Sequence, residues 1–303
     1  MYNGILVFNK PAGFTSHDVV AKLRGITHQK KIGHGGTLDP MATGVLPVLF
    51  GNATKASDYA MSSKKQYLAA MRLGTVTDTQ DITGTILSKK NVNVTEQDLF
   101  DAINKHIGEI YQIPPMYSAV HKDGKRLYDL ARSGIEVERE KRKIFIHDIT
   151  YQGKNADGDY LLSITCSKGT YIRTLCCDIG DYLGCGATVT MLQRTLTCGF
   201  GIDMAADFDT VKQYVENGRF DELLIPTEKI FCRFPAIVLN SRLSALVKNG
   251  VRIRKNQLDN PVIEDAEYYR VFDNENNFML LGKFICDENG QALLASEKNF
   301  AKE

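Results

Sequence analysis

Two spacings of apolar residues divide the chain into strands and helices. Short unbroken apolar runs at 5–8 and 45–50 read as buried strands. The first stops at Asn9-Lys10-Pro11, and the second follows a glycine-rich loop from Gly33 to Asp39. Residues 66–73, 84–88, 160–167 and 187–196 read as further strands. Spacings of three and four mark helices. Thr15 or Ser16 caps one that carries Val19, Val20 and Leu23, with Gly25 closing it. Thr95 caps a second with Leu99, Ala102, Ile103 and Ile107 on one face, ahead of Pro114-Pro115. A turn and cap at Lys168-Gly169-Thr170 opens a third over 171–183, ending at Gly184.

Strands dominate and show no regular βαβ rhythm, which predicts an α+β fold built on a mixed, mostly antiparallel sheet. Residues 120–143 interrupt the pattern. They hold eight basic and five acidic side chains, a Lys122-Asp123-Gly124 turn and few large apolar residues, as an insertion would. Beyond Pro235, a helix over 241–248 precedes strands split by Asn274-Glu275-Asn276-Asn277 and by Glu288-Asn289-Gly290. This predicts a small β-rich C-terminal domain. The expected division is 1–233 and 234–303.

Composition changes this picture little, and charge changes it more. The 303 residues are 43% hydrophobic and 24% charged, the values of an ordinary soluble globular chain of about two domains. The net charge of +1 is a cancellation: residues 1–200 hold 24 basic and 19 acidic side chains, residues 201–303 hold 13 and 17. The excess lies in the first 65 residues, where eight basic side chains, including Lys10, Lys30, Lys31, Lys64 and Lys65, face three acidic ones. Such asymmetry fits an anionic partner held by one part of the chain. The first ten residues lack the basic start and long apolar core of a secretion signal. No run of about 18 apolar residues is present to span a membrane. The seven cysteines fall between Cys166 and Cys286, with no C-x-x-C pair. They read as reduced thiols packed as small hydrophobes in a cytoplasmic protein, with no metal site.

The most informative stretch runs from Lys31 to Val48. Three glycines in four positions around His34 permit unusual backbone angles and close ligand approach. No Gly-Lys-Ser/Thr follows them, which sets aside a phosphate-binding loop. Asp39 before Pro40 fits either a helix N-cap with proline at the first helical position or a reactive carboxylate.

This stretch resembles a known family. Gly33-His34-Gly35-Gly36-Thr37-Leu38-Asp39-Pro40-x-Ala42-Thr43-Gly44-Val45-Leu46-Pro47 looks like the catalytic motif of the TruB family, the bacterial tRNA pseudouridine-55 synthases. Others recur in order: Asn9-Lys10-Pro11-x-Gly13-x-Thr15-Ser16 and Lys65-x-Tyr67, leading to Leu73-Gly74-x-x-Thr77-Asp78-Thr79-x-Asp81-x-x-Gly84. Then come Pro114-Pro115-x-Tyr117-Ser118-Ala119, Cys166-Ser167-Lys168-Gly169-Thr170-Tyr171-Ile172-Arg173-Thr174, and Leu192-x-Arg194. Two positions depart from the family pattern. Gly35 stands where the family usually has Thr or Ser, which predicts a more flexible loop, and Gln193 stands where it often has Arg.

The resemblance implies a catalytic core of pseudouridine-synthase type, a thumb at about 120–143 that closes over RNA, and a PUA-like C-terminal domain. It implies that a uridine in the T-loop of tRNA is isomerised to pseudouridine, with no cofactor. Asp39 would be the catalytic carboxylate, and Arg173 would hold it ionised through a bidentate pair. Tyr67 would stack on the uracil, Tyr171 and Leu192 would line the pocket, and His34 would help hold the flipped nucleotide. Lys10, Lys122, Lys125 and Arg126 are weaker candidates for RNA contact, Lys10 also for supporting the loop. A monomer acting on the tRNA T-arm, with neither membrane nor guide RNA, is expected. A tRNA-binding folding helper, a nucleosidase that releases the base and a guide-dependent relative of the dyskerin type are the alternatives.

Overall fold

The computed structural model describes residues 1–118, 120–122, 124–259 and 265–301; the side chains at 121, 122, 125, 126 and 132 lie outside that description. The chain opens with β1 (Gly4–Lys10), α1 (Ser16–Thr27), β2 (Ile32–His34), β3 (Thr43–Phe50), α2 (Ser57–Met61), β4 (Lys65–Leu73), β5 (Thr75–Thr77) and β6 (Ile86–Lys89). Next come α3 (Glu96–Lys105), β7 (Gly108–Gln112), β8 (His121–Lys122), β9 (Lys125–Arg126), α4 (Leu127–Arg132), β10 (Arg142–Lys154), β11 (Tyr160–Cys166), α5 (Ile172–Tyr182), β12 (Ala187–Thr197) and β13 (Phe200–Gly201). The last group is α6 (Phe208–Glu216), β14 (Leu224–Ile225), β15 (Ala236–Val238), α7 (Ser241–Lys248), β16 (Ile253–Arg254), β17 (Tyr269–Phe272), β18 (Phe278–Cys286) and β19 (Ala292–Asn299).

Among the described residues the large sheet runs β14-β1-β3-β12-β4-β11-β10-β7, with β2 on β3 and β13 on β12. Every pairing in it is antiparallel except β12 with β3, so the fold is α+β with a mixed sheet. One face carries α1, α3, α5 and α6. Val19, Val20, Leu23, Leu99, Ala102, Ile103, Leu175, Ile179 and Val211 from these helices share one core with Leu6, Phe8, Leu46, Tyr67, Ala69 and Met71. On β1 and β3 the other face is covered too, by a cluster of Ile5, Val7, Val45, Leu49, Ala53 and Phe200. Burial on both faces explains why these two strands read as unbroken apolar runs rather than alternations.

Caps set the helix limits. Thr15 and Asp18 form a reciprocal capping box on α1, and Thr95 and Asp98 repeat it on α3. The expected stop at Gly25 does not occur. The helix continues two residues, buries Thr27 and ends at His28 in a left-handed conformation, φ 51°. Ile107 falls past the end of α3 and is 38% exposed, not on its apolar face. Thr170 does not cap α5, because its hydroxyl bonds the Ser167 carbonyl at 3.0 Å and Tyr171 is the cap residue. The short α6, capped by Asp207, escaped the apolar pattern.

The inserted segment carries its own hairpin, β8 with β9, followed by α4, and Leu127 is buried. Arg142 and Lys143, counted with it by composition, belong to β10. Among the described residues between 236 and 299, five strands form a second sheet, β15-β17-β18-β19-β16. Phe231, Phe234 and Phe300 join it to the large-sheet side through Ala56 and Tyr59. The Phe231 ring is fully buried, 5.1 Å from Tyr59 and 5.5 Å from Phe300. Phe231→Ala should cost about 3–5 kcal/mol, read as a lower midpoint in urea unfolding of the full chain.

Candidate active site

The site grows from the junction inside the large sheet. Strand β12 lies between β3 and β4 but pairs with β3 only through Gln193 with Thr43 and Arg194 with Gly44. Asp39 lies in the loop between β2 and β3, while Tyr67 stands on β4 directly opposite Arg194. Leu192, two residues back on β12, is opposite Ala69 and shares the face of Tyr67. Arg173 enters from the first turn of α5. Four elements distant in sequence therefore meet at one place. The loop at Asp39 is a turn and not a helix start, so the N-cap reading fails.

Arg173 Nε lies 2.9 Å from Asp39 Oδ2, and the arginine is 3% exposed. The expected bidentate pair is absent, because the other guanidinium nitrogens are committed elsewhere. One donates to the Thr79 carbonyl at 2.7 Å and faces Asp81 Oδ2 at 3.4 Å; the other donates to the Tyr117 carbonyl at 2.8 Å. The Nε contact is off-line, an ion pair without a formed hydrogen bond. A cation in a first helical turn opposes the helix dipole, and two carboxylates offset that misfit. Asp81 is 4% exposed and accepts bonds from Thr79 and Thr83. The Asp39 side chain is still 33% accessible, yet protein surrounds it closely. Burial pushes its pKa up, Arg173 pulls it down, and Asp81 adds to the rise. The expectation that Arg173 alone keeps it ionised is thus too simple.

Two buried cations fasten the loop that carries Asp39. Lys10 is completely buried and donates to the carbonyls of Pro11 at 2.9 Å, Phe14 at 2.6 Å and Pro40 at 3.3 Å. Burial lowers its pKa to about 8. It supports the loop and offers no surface to RNA, which corrects the expectation of an RNA contact. Arg194, 1% exposed, donates to Val45 at 2.7 Å, Thr37 at 3.2 Å and Gly36 at 3.4 Å. Ser16 completes the fastening, accepting from the Leu38 amide at 2.9 Å. Gly35 is buried, and its amide bonds the Pro47 carbonyl at 2.8 Å, so extra flexibility is not its role. A Cβ there would stand 2.7 Å from that of Ala60 on α2.

Tyr67 is 7% exposed; burial raises its pKa, while the adjacent Arg194 guanidinium lowers it. Burial raises the Tyr171 pKa too, and the charge of Asp39 adds to the rise at both tyrosines. Gln112 pins Tyr171 by taking its amide at 2.8 Å and donating to its carbonyl at 3.0 Å. Burial lowers the His34 pKa to about 4, with His17 and Arg194 adding to the shift, so its ring is neutral at pH 7. Its Nδ1 is buried without a hydrogen-bond partner, and the ring stands edge-on to His17 at 5.3 Å. The side chains of Lys122, Lys125 and Arg126 lie outside the described residues. Of the cysteines, Cys166, Cys176 and Cys185 are buried, but Cys232 and Cys286 are exposed, contrary to uniform packing. No helix among the described residues is long and apolar enough to cross a membrane.

Two family models cover this ground. Residues 24–172 match the N-terminal domain of TruB family pseudouridylate synthase, and residues 173–231 match the C-terminal domain of tRNA pseudouridylate synthase B. The chain belongs to the TruB family. It is a pseudouridine synthase, whose general reaction isomerises uridine to pseudouridine. Its relatives include tRNA pseudouridine synthase B of Clostridium tetani, 44% identical, with 93% of this chain and 95% of that one covered. The namesake in Moorella thermoacetica is 41% identical over 98% of this chain and 99% of the other. Among solved structures, a Cbf5–Nop10–Gar1 complex contains a chain 26% identical, with a TM-score of 0.76, covering 98% of this chain and 85% of that one.

Membership in the TruB family sorts the residues that spacing alone missed. Asp81, Tyr117 and Arg194 all sit in motifs visible in the sequence, but their work is done by a second-row carboxylate, a carbonyl and a buried fork. Nothing in a one-dimensional pattern marks Gln112. We expect Gly35→Thr to destabilise the chain by about 1–3 kcal/mol in urea unfolding, with Ala60→Gly recovering part of the loss. The raised pKa of Asp39 means its charge is lost on acidification above the ordinary 3.8. Carbon-13 titration of that carboxyl should place it there, and Arg173→Met should move it up by at least about one pH unit.

Proposed function

We propose that this pseudouridine synthase acts on a uridine in the T-loop of tRNA, position 55, with Asp39 as nucleophile or base. The observation that carries the reading is the Asp39 carboxylate itself. It is one-third accessible, ion-paired at 2.9 Å to a buried arginine, and held in a loop whose carbonyls are fastened by two other buried cations. The motif resemblance and the relatives named as tRNA pseudouridine synthase B support tRNA as the substrate.

The bond from C1′ to N1 breaks, the uracil turns, and C5 joins the same sugar carbon. The proton on C5 leaves and N1 ends protonated, so the product is an isomer and no redox or group-transfer partner enters. Asp39 either attacks C1′ or removes the 2′ proton. Tyr67 stacks on the base, and its hydroxyl assists loss of the C5 proton. Tyr171 and Leu192 close the walls, and His34, its ring neutral, helps hold the extruded nucleotide. The enclosure keeps water from competing for the sugar carbon.

Base flipping costs a few kcal/mol, and stacking on one aromatic returns about 1–3 kcal/mol. One tyrosine therefore leaves a deficit that phosphate contacts must meet. Lys122, Lys125 and Arg126 of the thumb are the candidates for it. The reading is of a stand-alone, monomeric, cytoplasmic enzyme without guide RNA, and the name tRNA pseudouridine synthase B carried by relatives above 40% identity supports its tRNA substrate. The small second sheet would serve as a PUA-like accessory domain.

Asp39→Asn is nearly isosteric and tests the role. With an unmodified tRNA transcript, the native chain should place pseudouridine in the T-loop. The variant should bind the transcript and stay folded but make no product. Full activity in the variant would remove Asp39 from the chemistry. Free uracil with an abasic site, seen by mass spectrometry, would instead indicate a nucleosidase.

A further inference from the structure

Arg194 is among the largest fully buried side chains in the molecule. Its guanidinium donates to three backbone carbonyls and lies against the Tyr67 hydroxyl, with no carboxylate partner among the described residues. A guanidinium buried on those terms is costly, and an apolar side chain of similar volume would pack the same space at less expense. What the planar fork can do, and an apolar residue cannot, is hold several acceptors in one fixed relation. Here the acceptors belong to Gly36 and Thr37, immediately before Leu38-Asp39, and to Val45 at the start of the following strand. The backbone locks the same register: a Cβ on Gly44 would collide with the Arg194 carbonyl, and Gly44 has φ 97°.

The other side of Arg194 faces Tyr67, its direct cross-strand partner. We propose that Arg194 is a positioning residue for the isomerisation, fixing at once the loop that carries Asp39 and the hydroxyl of Tyr67. One rigid fork thus sets the carboxylate at the sugar relative to the ring at the base. The proposal rests on the roles given above to Asp39 and Tyr67. The influence of its charge on Lys10, His34, Lys65 and Tyr67 fits a group at the centre of the site. Lysine cannot substitute fully, because its one ammonium lacks the separate Nε and two Nη donors that Arg194 spreads over Val45, Thr37 and Gly36.

Full-length Arg194→Lys and Arg194→Gln separate positioning from simple support. Three quantities are measured: the single-turnover rate on a tRNA transcript, the affinity for that transcript, and amide hydrogen exchange across 35–46. The rate should fall about 100-fold in Arg194→Gln and about 10-fold in Arg194→Lys, with affinity changed less than about three-fold. Exchange in 35–46 should quicken in both while the rest of the sheet stays protected. A folded Arg194→Lys with native rate and native exchange would overturn the proposal. So would a loss confined to affinity. Should the native chain make no pseudouridine in the T-loop, the functional reading fails, and unchanged exchange across 35–46 would separately remove Arg194 as the clamp.

Discussion

A loop outside any ladder can hold a carboxylate steady only if its own carbonyls find donors. Around Asp39 those donors come mainly from cations taken out of water. Lys10 takes the Pro40 carbonyl on one side, and Arg194 takes Gly36 and Thr37 on the other. A third cation, Arg173, meets the carboxylate itself and spends its remaining nitrogens on Thr79, Tyr117 and Asp81. Each buried charge is expensive alone. Together, three cations face two carboxylates and a set of carbonyls, and every member is needed because removing one leaves others unpaired. The arrangement trades stability for a carboxylate of fixed direction in a region of low dielectric.

The sheet is shaped around this cluster. Its two halves meet at only two residue pairs, Gln193 with Thr43 and Arg194 with Gly44, and the loop that carries Asp39 enters beside that seam. On one side β4 and β11 present Tyr67 and lead into α5, which delivers Arg173. On the other, β1 and β3 are buried on both faces and give the loop an unyielding base. Packing reaches further, through Ala60 against Gly35 and from Tyr59 of the same short helix to Phe231 and Tyr268. The small second sheet is thereby continuous with the support of the loop. The Gly35 departure from the family pattern is a matter of volume there, not of flexibility.

Much of this was legible in one dimension. Apolar runs and caps gave α7 to the residue and β1, β3 and α3 to within two residues at each end, because a buried strand and a capped helix are local events. The motif order gave the family, and through the resemblance named Asp39, Tyr67 and Arg173 as the proposed site, with Arg173 ion-paired to Asp39 in the fold. The helix stop at Gly25 misread a permissive residue as an obligatory one, when packing of Thr27 carried α1 onward. The thumb residues were identified from charge, and their side chains fall outside the described set.

What the sequence by itself determined was therefore the main strands, most of the longer helices and the reaction family. Only the tertiary structure decided how each charge is spent. Lys10 and Arg173 are both basic in the sequence, yet one is committed to carbonyls and the other shared between two acids. The difference arises because burial strips water from every polar group and forces it onto whatever acceptor the fold brings within about 3 Å. Those acceptors are backbone carbonyls contributed by segments up to 158 positions apart, and no spacing rule in the sequence records them.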